Sequence, residues 1–371
     1  MEISVVKSAP ARWLAEGCSV RGASHERNGK PNQDHLVRRS LTEGGAVIAV
    51  ADGHGSAKYF RSEVGSKLAV EVALDLITEM MEGVTCNNTP LDKVTTNVKD
   101  VLPRKIVEEW RRRVKEHWNS HESLTDAEAE MLKDNAGVQE VVDNDHTVAY
   151  GCTLLAAAVT ARYLVLVQNG DGDIICVSQS GKAQRPLPDD PRLIANETTS
   201  LCQPQAETNF RAYVQQLDED APAVVILSSD GCANSFEGDE FLTWVEQFAL
   251  KVRDYGLKPV SEQLDQWLEQ ITRGGSGDDV TFGILAREEL QSRGDNQEDA
   301  LTALPGAALS GPLPVSDTGT DATLLTARTK PVLTATPVHR TQMPLKLLFL
   351  PLGIAVLALV ARQAFSPKRG P

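Results

Sequence analysis

Apolar, β-prone runs that end in aspartate constrain this chain more than any other feature. Ala46–Ala51 (AVIAVA) leads into Asp52-Gly53-His54-Gly55. Tyr163–Val167 (YLVLV) leads through Gln168 and Asn169 into Gly170-Asp171-Gly172-Asp173. Ala223–Leu227 (AVVIL) leads through two serines into Asp230-Gly231. Asn32-Gln33-Asp34 and Gly277-Asp278-Asp279 complete the set. Strands that end this way can bring their carboxylates to one edge of a sheet. Carboxylates gathered there repel one another and resist leaving water unless cations neutralise them. Hard divalent ions with a preference for oxygen ligands, Mg2+ or Mn2+, are the fitting counter-charge.

Strand-like runs recur at Ala46–Ala51, Thr153–Val159, Tyr163–Val167, Ile174–Val177, Val224–Leu227 and Val280–Leu285. The short polar stretch Thr160-Ala161-Arg162 between two of them predicts an antiparallel hairpin. Helical spacing of apolar residues marks Tyr59–Glu82, Val101–Asn119, Phe241–Arg253 and Val260–Ile271. Trp110 and Trp118, on about one face of the second of these, read as packing residues. Strands and helices do not alternate strictly. The expected class is therefore α+β, a layered antiparallel domain, and not a doubly wound parallel sheet.

The net charge of -14 speaks against nucleic acid as a partner, since such binders carry a basic face. The one basic triplet, Arg111-Arg112-Arg113, sits in a charged helical stretch and reads as a solvated face. Six cysteines, at 18, 86, 152, 176, 202 and 232, form no C-x-x-C pair. They predict free thiols in a reducing compartment. Residues 1–17 lack a signal-peptide core, which predicts a cytoplasmic catalytic part.

The chain divides into residues 1–289, the globular part, and a stretch at 290–344 where periodicity vanishes and Ala, Thr, Pro, Gly and Leu dominate. That composition predicts a flexible linker. Behind it, Leu347–Ala361 is an uncharged apolar run flanked by Lys346 and Arg362, followed by the short basic tail 363–371. With the flanking side chains reaching for the headgroups, residues 345–362 approach the shortest length that spans a bilayer. The expectation is a single-pass anchor that holds the domain at the cytoplasmic membrane. Pro351 counts against it, since proline delays or kinks a helix.

Asn32-Gln33-Asp34, Asp52-Gly53-His54-Gly55, Gly151-Cys152-Thr153, Asn169-Gly170-Asp171, Ser229-Asp230-Gly231 and Gly277-Asp278-Asp279-Val280-Thr281 occur in an order that resembles the metal-dependent type 2C protein phosphatases. The resemblance covers about residues 20–287. Gly22, Ser24, His25, Gly29, Pro31, Gln33 and Asp34 match the first motif of a bacterial branch. It implies a central β-sandwich flanked by helix pairs, with a two-metal centre at one end. It implies that Asp52 bridges the metals, that the carbonyl of Gly53 supports the second, and that Asp230 and Asp278 ligate the first. Asp34 would hold water molecules around them, and Asp171 falls at a weaker third metal position. Asp279 is the less apt ligand of its pair. The implied activity is hydrolysis of phosphoserine and phosphothreonine by a water bridging two Mn2+ or Mg2+ ions. The implied partners are phosphorylated proteins, a serine/threonine kinase or its targets.

The chemistry also follows from general principles. A phosphate monoester dianion resists an anionic nucleophile; two metals bind its oxygens, lower the pKa of water and aim the resulting hydroxide. A serine or threonine alkoxide leaves poorly without a proton, and His54 is the candidate general acid. Any one Asp-Gly pair is equally well a turn; only the ordered set separates the readings. Two features depart from the pattern. Gln33 stands where many members carry Glu, and the nearest candidate for their phosphate-binding arginine, Arg27, lies at an unusual spacing, with Lys30 as a substitute. These departures keep open a phosphoprotein-binding domain without turnover. An unrelated metallohydrolase fits less well, given the acidic chain and the lack of histidine clusters.

Overall fold

The computed structural model describes residues 12–288, apart from 122–123, 134, 193–197 and 218–220, and in addition Pro305. In chain order the elements are β1 (Trp13–Val20), α1 (Ala23–Asn28), β2 (His35–Ser40), β3 (Ala46–Ala51), α2 (Ser62–Cys86), α3 (Leu91–Thr96), α4 (Leu102–Ser120), α5 (Asp126–Lys133) and α6 (Ala136–Asn144). They continue with β4 (Leu154–Val159), β5 (Tyr163–Asn169), β6 (Asp173–Val177), β7 (Ala183–Gln184), β8 (Arg211–Gln216), β9 (Val224–Ser228), α7 (Asp230–Ala233), α8 (Glu240–Tyr255), α9 (Leu257–Ser261), α10 (Leu264–Gly274) and β10 (Val280–Arg287).

Two five-stranded antiparallel sheets stack face to face, ordered β1-β10-β9-β6-β7 and β2-β3-β4-β5-β8. The central strands read as unbroken apolar runs because both of their faces are covered. In β3, Ala46, Ile48 and Val50 point into the layer between the sheets. Val47, Ala49 and Ala51 point the other way, onto the cluster that holds α2 and α4. The opposite sheet buries Ile226, Phe282 and Ile284 against Trp244, Phe248 and Trp267 of α8 and α10. The result is a four-layer helix–sheet–sheet–helix stack, the expected α+β class.

Two helical expectations shift. The single helix expected over Val260–Ile271 is two, α9 and α10, broken at Glu262-Gln263. A π-helical turn at Asn97–Val101 runs into α4 ahead of the expected start. The basic triplet is not simply solvated. Arg111 donates to the carbonyls of Cys202 and Gln203, and Arg113 pairs with Glu109 and Asp75. The cysteines are free thiols, four of them buried. The expected linker at 290–344 and tail anchor at 345–362 lie outside the described residues, Pro305 apart. Among the described residues no helix is long and apolar enough to cross a membrane.

One close approach fixes the geometry behind the site. A Cβ on Gly65 of α2 would stand 1.9 Å from the carbonyl oxygen of Tyr150, just before Gly151-Cys152-Thr153. Arg61 N also donates to Ala149 O at 2.8 Å, so α2 is pinned along this segment. Gly65→Ala is expected to lower stability by about 2–3 kcal/mol, overriding alanine's better helix propensity. Gly83→Ala, on the same helix with nothing near its Cβ, should raise stability by a few tenths to about 1 kcal/mol. Thermal melting of the two variants checks this; equal signs would refute the close-approach account.

Candidate functional site

The aspartates lie at one end of the stacked sheets because strand directions place them there. His35 at the start of β2 pairs with Ala51 at the end of β3, so Asp34 and Asp52 flank the same end. Phe282 near the start of β10 pairs with Ser228 at the end of β9, which brings Asp278 and Asp230 to that end of the other sheet. Asp171 sits in the turn from β5 to β6, which belong to different sheets.

Asp52 is held by its backbone. Its N–H donates to Thr153 Oγ1 at 3.0 Å, and its carbonyl accepts from Thr153 N at 2.8 Å. Gly53 N donates to Gln33 O at 3.1 Å, and a Cβ on Gly53 would meet that oxygen at 2.7 Å. Only glycine lets the two loops approach this closely. Asp230 opens the short α7, and Asn234 Nδ2 donates to its Oδ2 at 3.0 Å. Asp34 is 3% exposed; its Oδ2 accepts from Thr281 Oγ1 at 2.8 Å. Its Oδ1 is buried and has no hydrogen-bond partner among the described residues.

The carboxylates disturb one another. Burial, then the charges of Asp34, Asp230 and Asp278, hold Asp52 well above the usual carboxylate range. Burial, then Asp279, push Asp34 up to about 7. Burial, then Asp171, push Asp230 up to about 6. Asp278 is the accessible member, with 53% of its side chain exposed. No lysine or arginine is paired with these five acids among the described residues. Oxygen donors, mutual repulsion and the unpartnered Asp34 Oδ1 fit hard divalent cations.

Asp279 does different work. Its Oδ1 accepts from Gly22 N at 2.6 Å and its Oδ2 from Gln33 N at 2.7 Å. His25 Nδ1 lies 2.9 Å from Oδ1, and that bond raises the His25 pKa. The ligand atoms of His25, Asp278 and Asp279 all lie within 4.8 Å of one another. Two of the three are already bound to each other, so only Asp278 remains for an ion. Asp279 ties the first motif to β10.

Gln33 turns away from the acids. Its amide Nε2 donates to Ser62 Oγ and, at 3.4 Å, to His54 O. The missing glutamate charge is therefore replaced by a loop tie. His54 is half-buried, packs on Tyr59 with ring centroids 4.6 Å apart, and has a buried Nε2 without a partner among the described residues. Burial, then Lys58, lower its pKa to about 4, so with protein groups alone the imidazole is neutral at pH 7. Arg27 is exposed on α1 and makes no hydrogen bond or ion pair among the described residues. The cations that do flank the His54 loop are Lys30, whose Nζ donates to Gly55 O at 3.1 Å, and Lys58. Lys58 was not visible as a site residue in the sequence, since a lone loop lysine carries no pattern. The same holds for Ser62, Thr153 and Thr281, which orient the motif residues.

A family model described as protein phosphatase 2C matches residues 21–269. No curated protein matches the chain. Among solved structures, the chain is similar to the serine/threonine phosphatase Stp1 from Staphylococcus aureus, at 14% identity over 75% of this chain and 96% of that one, with a TM-score of 0.46. It is similar to the Mycobacterium tuberculosis serine/threonine phosphatase PstP/Ppp, at 17% identity over 76% and 99%, with a TM-score of 0.46. It is also similar to the catalytic domain of the serine/threonine protein phosphatase PstP in complex with two manganese ions, at 18% identity over 74% and 97%, with a TM-score of 0.44.

Proposed function

Since the chain belongs to the protein phosphatase 2C family of serine/threonine phosphatases, we propose that its aspartate cluster is a Mn2+ or Mg2+ centre that removes phosphate from phosphoserine and phosphothreonine in proteins. Its reaction would oppose a serine/threonine kinase. Asp52 would hold both ions with help from the carbonyl of Gly53; Asp230 and Asp278 would hold the first. Asp34 would orient water around them, and Asp171 would serve a weaker third position. The observation that carries this reading is the convergence of five aspartates from both sheets, of which Asp34, Asp52 and Asp230 have raised pKa values, with no lysine or arginine paired to them among the described residues. Ions held there neutralise the phosphate dianion and supply hydroxide at neutral pH.

The chain's own residues supply the rest. Lys30 and Lys58, beside the loop that follows Asp52, would meet an approaching phosphate dianion in the role expected of Arg27. His54 holds a proton only when an anion beside it offsets burial and the Lys58 charge. That couples its acid role, donation to the leaving alkoxide, to the arrival of the phosphate.

The test uses the full chain with p-nitrophenyl phosphate and with phosphothreonine and phosphotyrosine peptides, in Mn2+, in Mg2+ and in EDTA. Metal-dependent phosphate release from the phosphothreonine peptide, abolished by EDTA, is the expected result. Absence of turnover in folded protein that binds Mn2+ would overturn the enzyme reading in favour of a phosphoprotein-binding domain.

A further inference from the structure

Beside the His54 loop opens a cleft of about 560 Å3, between that loop and the helices α4 and α5. Lys30 and Gly55 stand at one side of it, joined by their hydrogen bond. Gly55 follows His54 directly and lies three positions from Asp52. A phosphorylated side chain reaching the aspartates would carry its own backbone across Gly55, so its neighbouring residues would meet this cleft.

Half-buried apolar side chains line the cleft, with exposed Lys30 and Glu63 beside them. Tyr59, Phe60 and Val64 are half-buried and rest on the main helix-side core, and Met131 of α5 faces them across the cleft. The buried charge inside it is already cancelled. Arg61, 7% exposed, makes two bonds to the Glu128 carboxylate at 2.7 and 3.2 Å, a third to Tyr150 Oη at 3.1 Å, and covers the Trp118 ring at 4.8 Å. A guanidinium satisfied in this way does not recruit an anion. The other wall is stiff: His117 and His121 stack with centroids 4.2 Å apart, and His117 Nδ1 lies 2.8 Å from Tyr150 Oη.

We propose that this cleft receives a large aliphatic or aromatic side chain beside the phosphorylated residue of the protein substrate, and so selects which phosphorylation sites are dephosphorylated. The proposal rests on the phosphatase reading above. An acidic neighbour would compete with the phosphate for Lys30 and would find Arg61 already paired with Glu128, and a small one would leave Tyr59, Phe60 and Met131 exposed.

Phosphothreonine peptides with glycine at all flanking positions are compared with peptides carrying leucine or phenylalanine at each position from three before to three after the phosphothreonine. The full chain should hydrolyse one of the apolar-flanked peptides with kcat/KM about tenfold higher. Met131→Lys and, separately, His121→Glu should remove that gain while leaving p-nitrophenyl phosphate and the glycine-flanked peptide unchanged. Fluorescence anisotropy with the full-length Asp52→Asn chain should show the same preference in binding, with no turnover needed. No flank preference in either assay overturns the proposal. So does a preference that survives both substitutions, or a loss shared equally by p-nitrophenyl phosphate. Flank-dependent binding without hydrolysis by the native chain would instead sink the enzyme reading and leave the cleft assignment standing.

Discussion

Asp52→Asn is expected to reduce phosphate release by roughly a thousandfold or more, equivalent to at least about 4 kcal/mol of barrier, while raising the melting temperature in EDTA. Both effects come from one charge. Asp52 is pushed far above the usual carboxylate range by burial and then by Asp34, Asp230 and Asp278. Its carboxylate is thus a liability to the metal-free fold and the hinge of the proposed ion site. An amide of the same shape carries no charge for Asp34, Asp230 and Asp278 to repel, and it removes the proposed shared ligand. Relief of about 1 kcal/mol would raise the melting temperature by a few degrees. Steady-state kinetics and thermal melting of the same preparation check the pair of outcomes. An inactive variant that is also less stable in EDTA would show that Asp52 holds the fold and not the ions.

Metal removal should make stability strongly dependent on pH. The Asp34 and Asp230 carboxyls titrate near 7 and 6 in the folded chain, against about 3.9 when unfolded. Between these limits the folded state binds more protons than the unfolded state. Raised carboxyl pKa values therefore mean that stability in EDTA falls as pH climbs from about 4 to about 7. Saturating Mn2+ replaces the protons as counter-charge and should reverse the trend. At a hundredfold excess over Kd each site adds about 2.7 kcal/mol, so two sites shift the melting temperature upward by roughly 10 °C or more at pH 7.5. Calorimetric melts across pH, with Mn2+ and with EDTA, are the measurement. A melting temperature in EDTA that rises over pH 5–7, or one indifferent to Mn2+ at pH 7.5, would contradict the site.

The sequence is legible where the fold buries both faces of an element. β3, β4, β5, β6, β9 and β10 are inner strands, and each shows as an apolar run. The four strands that pattern reading passes over, β1, β2, β7 and β8, are the four sheet edges. HLVRRS in β2 and RAYVQQ in β8 carry the polar residues that an exposed edge tolerates, so neither run stands out from a loop. The break between α9 and α10 was hidden for a related reason: Leu257, Val260 and Leu264 keep helical spacing across it and all enter the same core. The acids proposed as ligands stand out in the sequence because strand ends followed by Asp and Gly repeat along the chain. What they lean on was not. Asp279 looks like its neighbour Asp278 in sequence, and only the bonds to Gly22, Gln33 and His25 separate their roles. Arg61 and Glu128, 67 positions apart, carry no mark of their pairing.

β10 has a mechanical meaning as well as a topological one. It is paired with β1 along its length and with β9 over Phe282–Ala286, it begins just after Asp278-Asp279, and it ends at Arg287. A pull applied at Arg287 is therefore delivered along a single strand, in shear across two hydrogen-bonded ladders, toward the residue proposed to grip an ion. Shear loading engages all the ladder bonds at once, so the strand resists as a unit. The aspartate end of the domain is thus strung, like the fixed end of a cable, to the far end of β10 at Arg287.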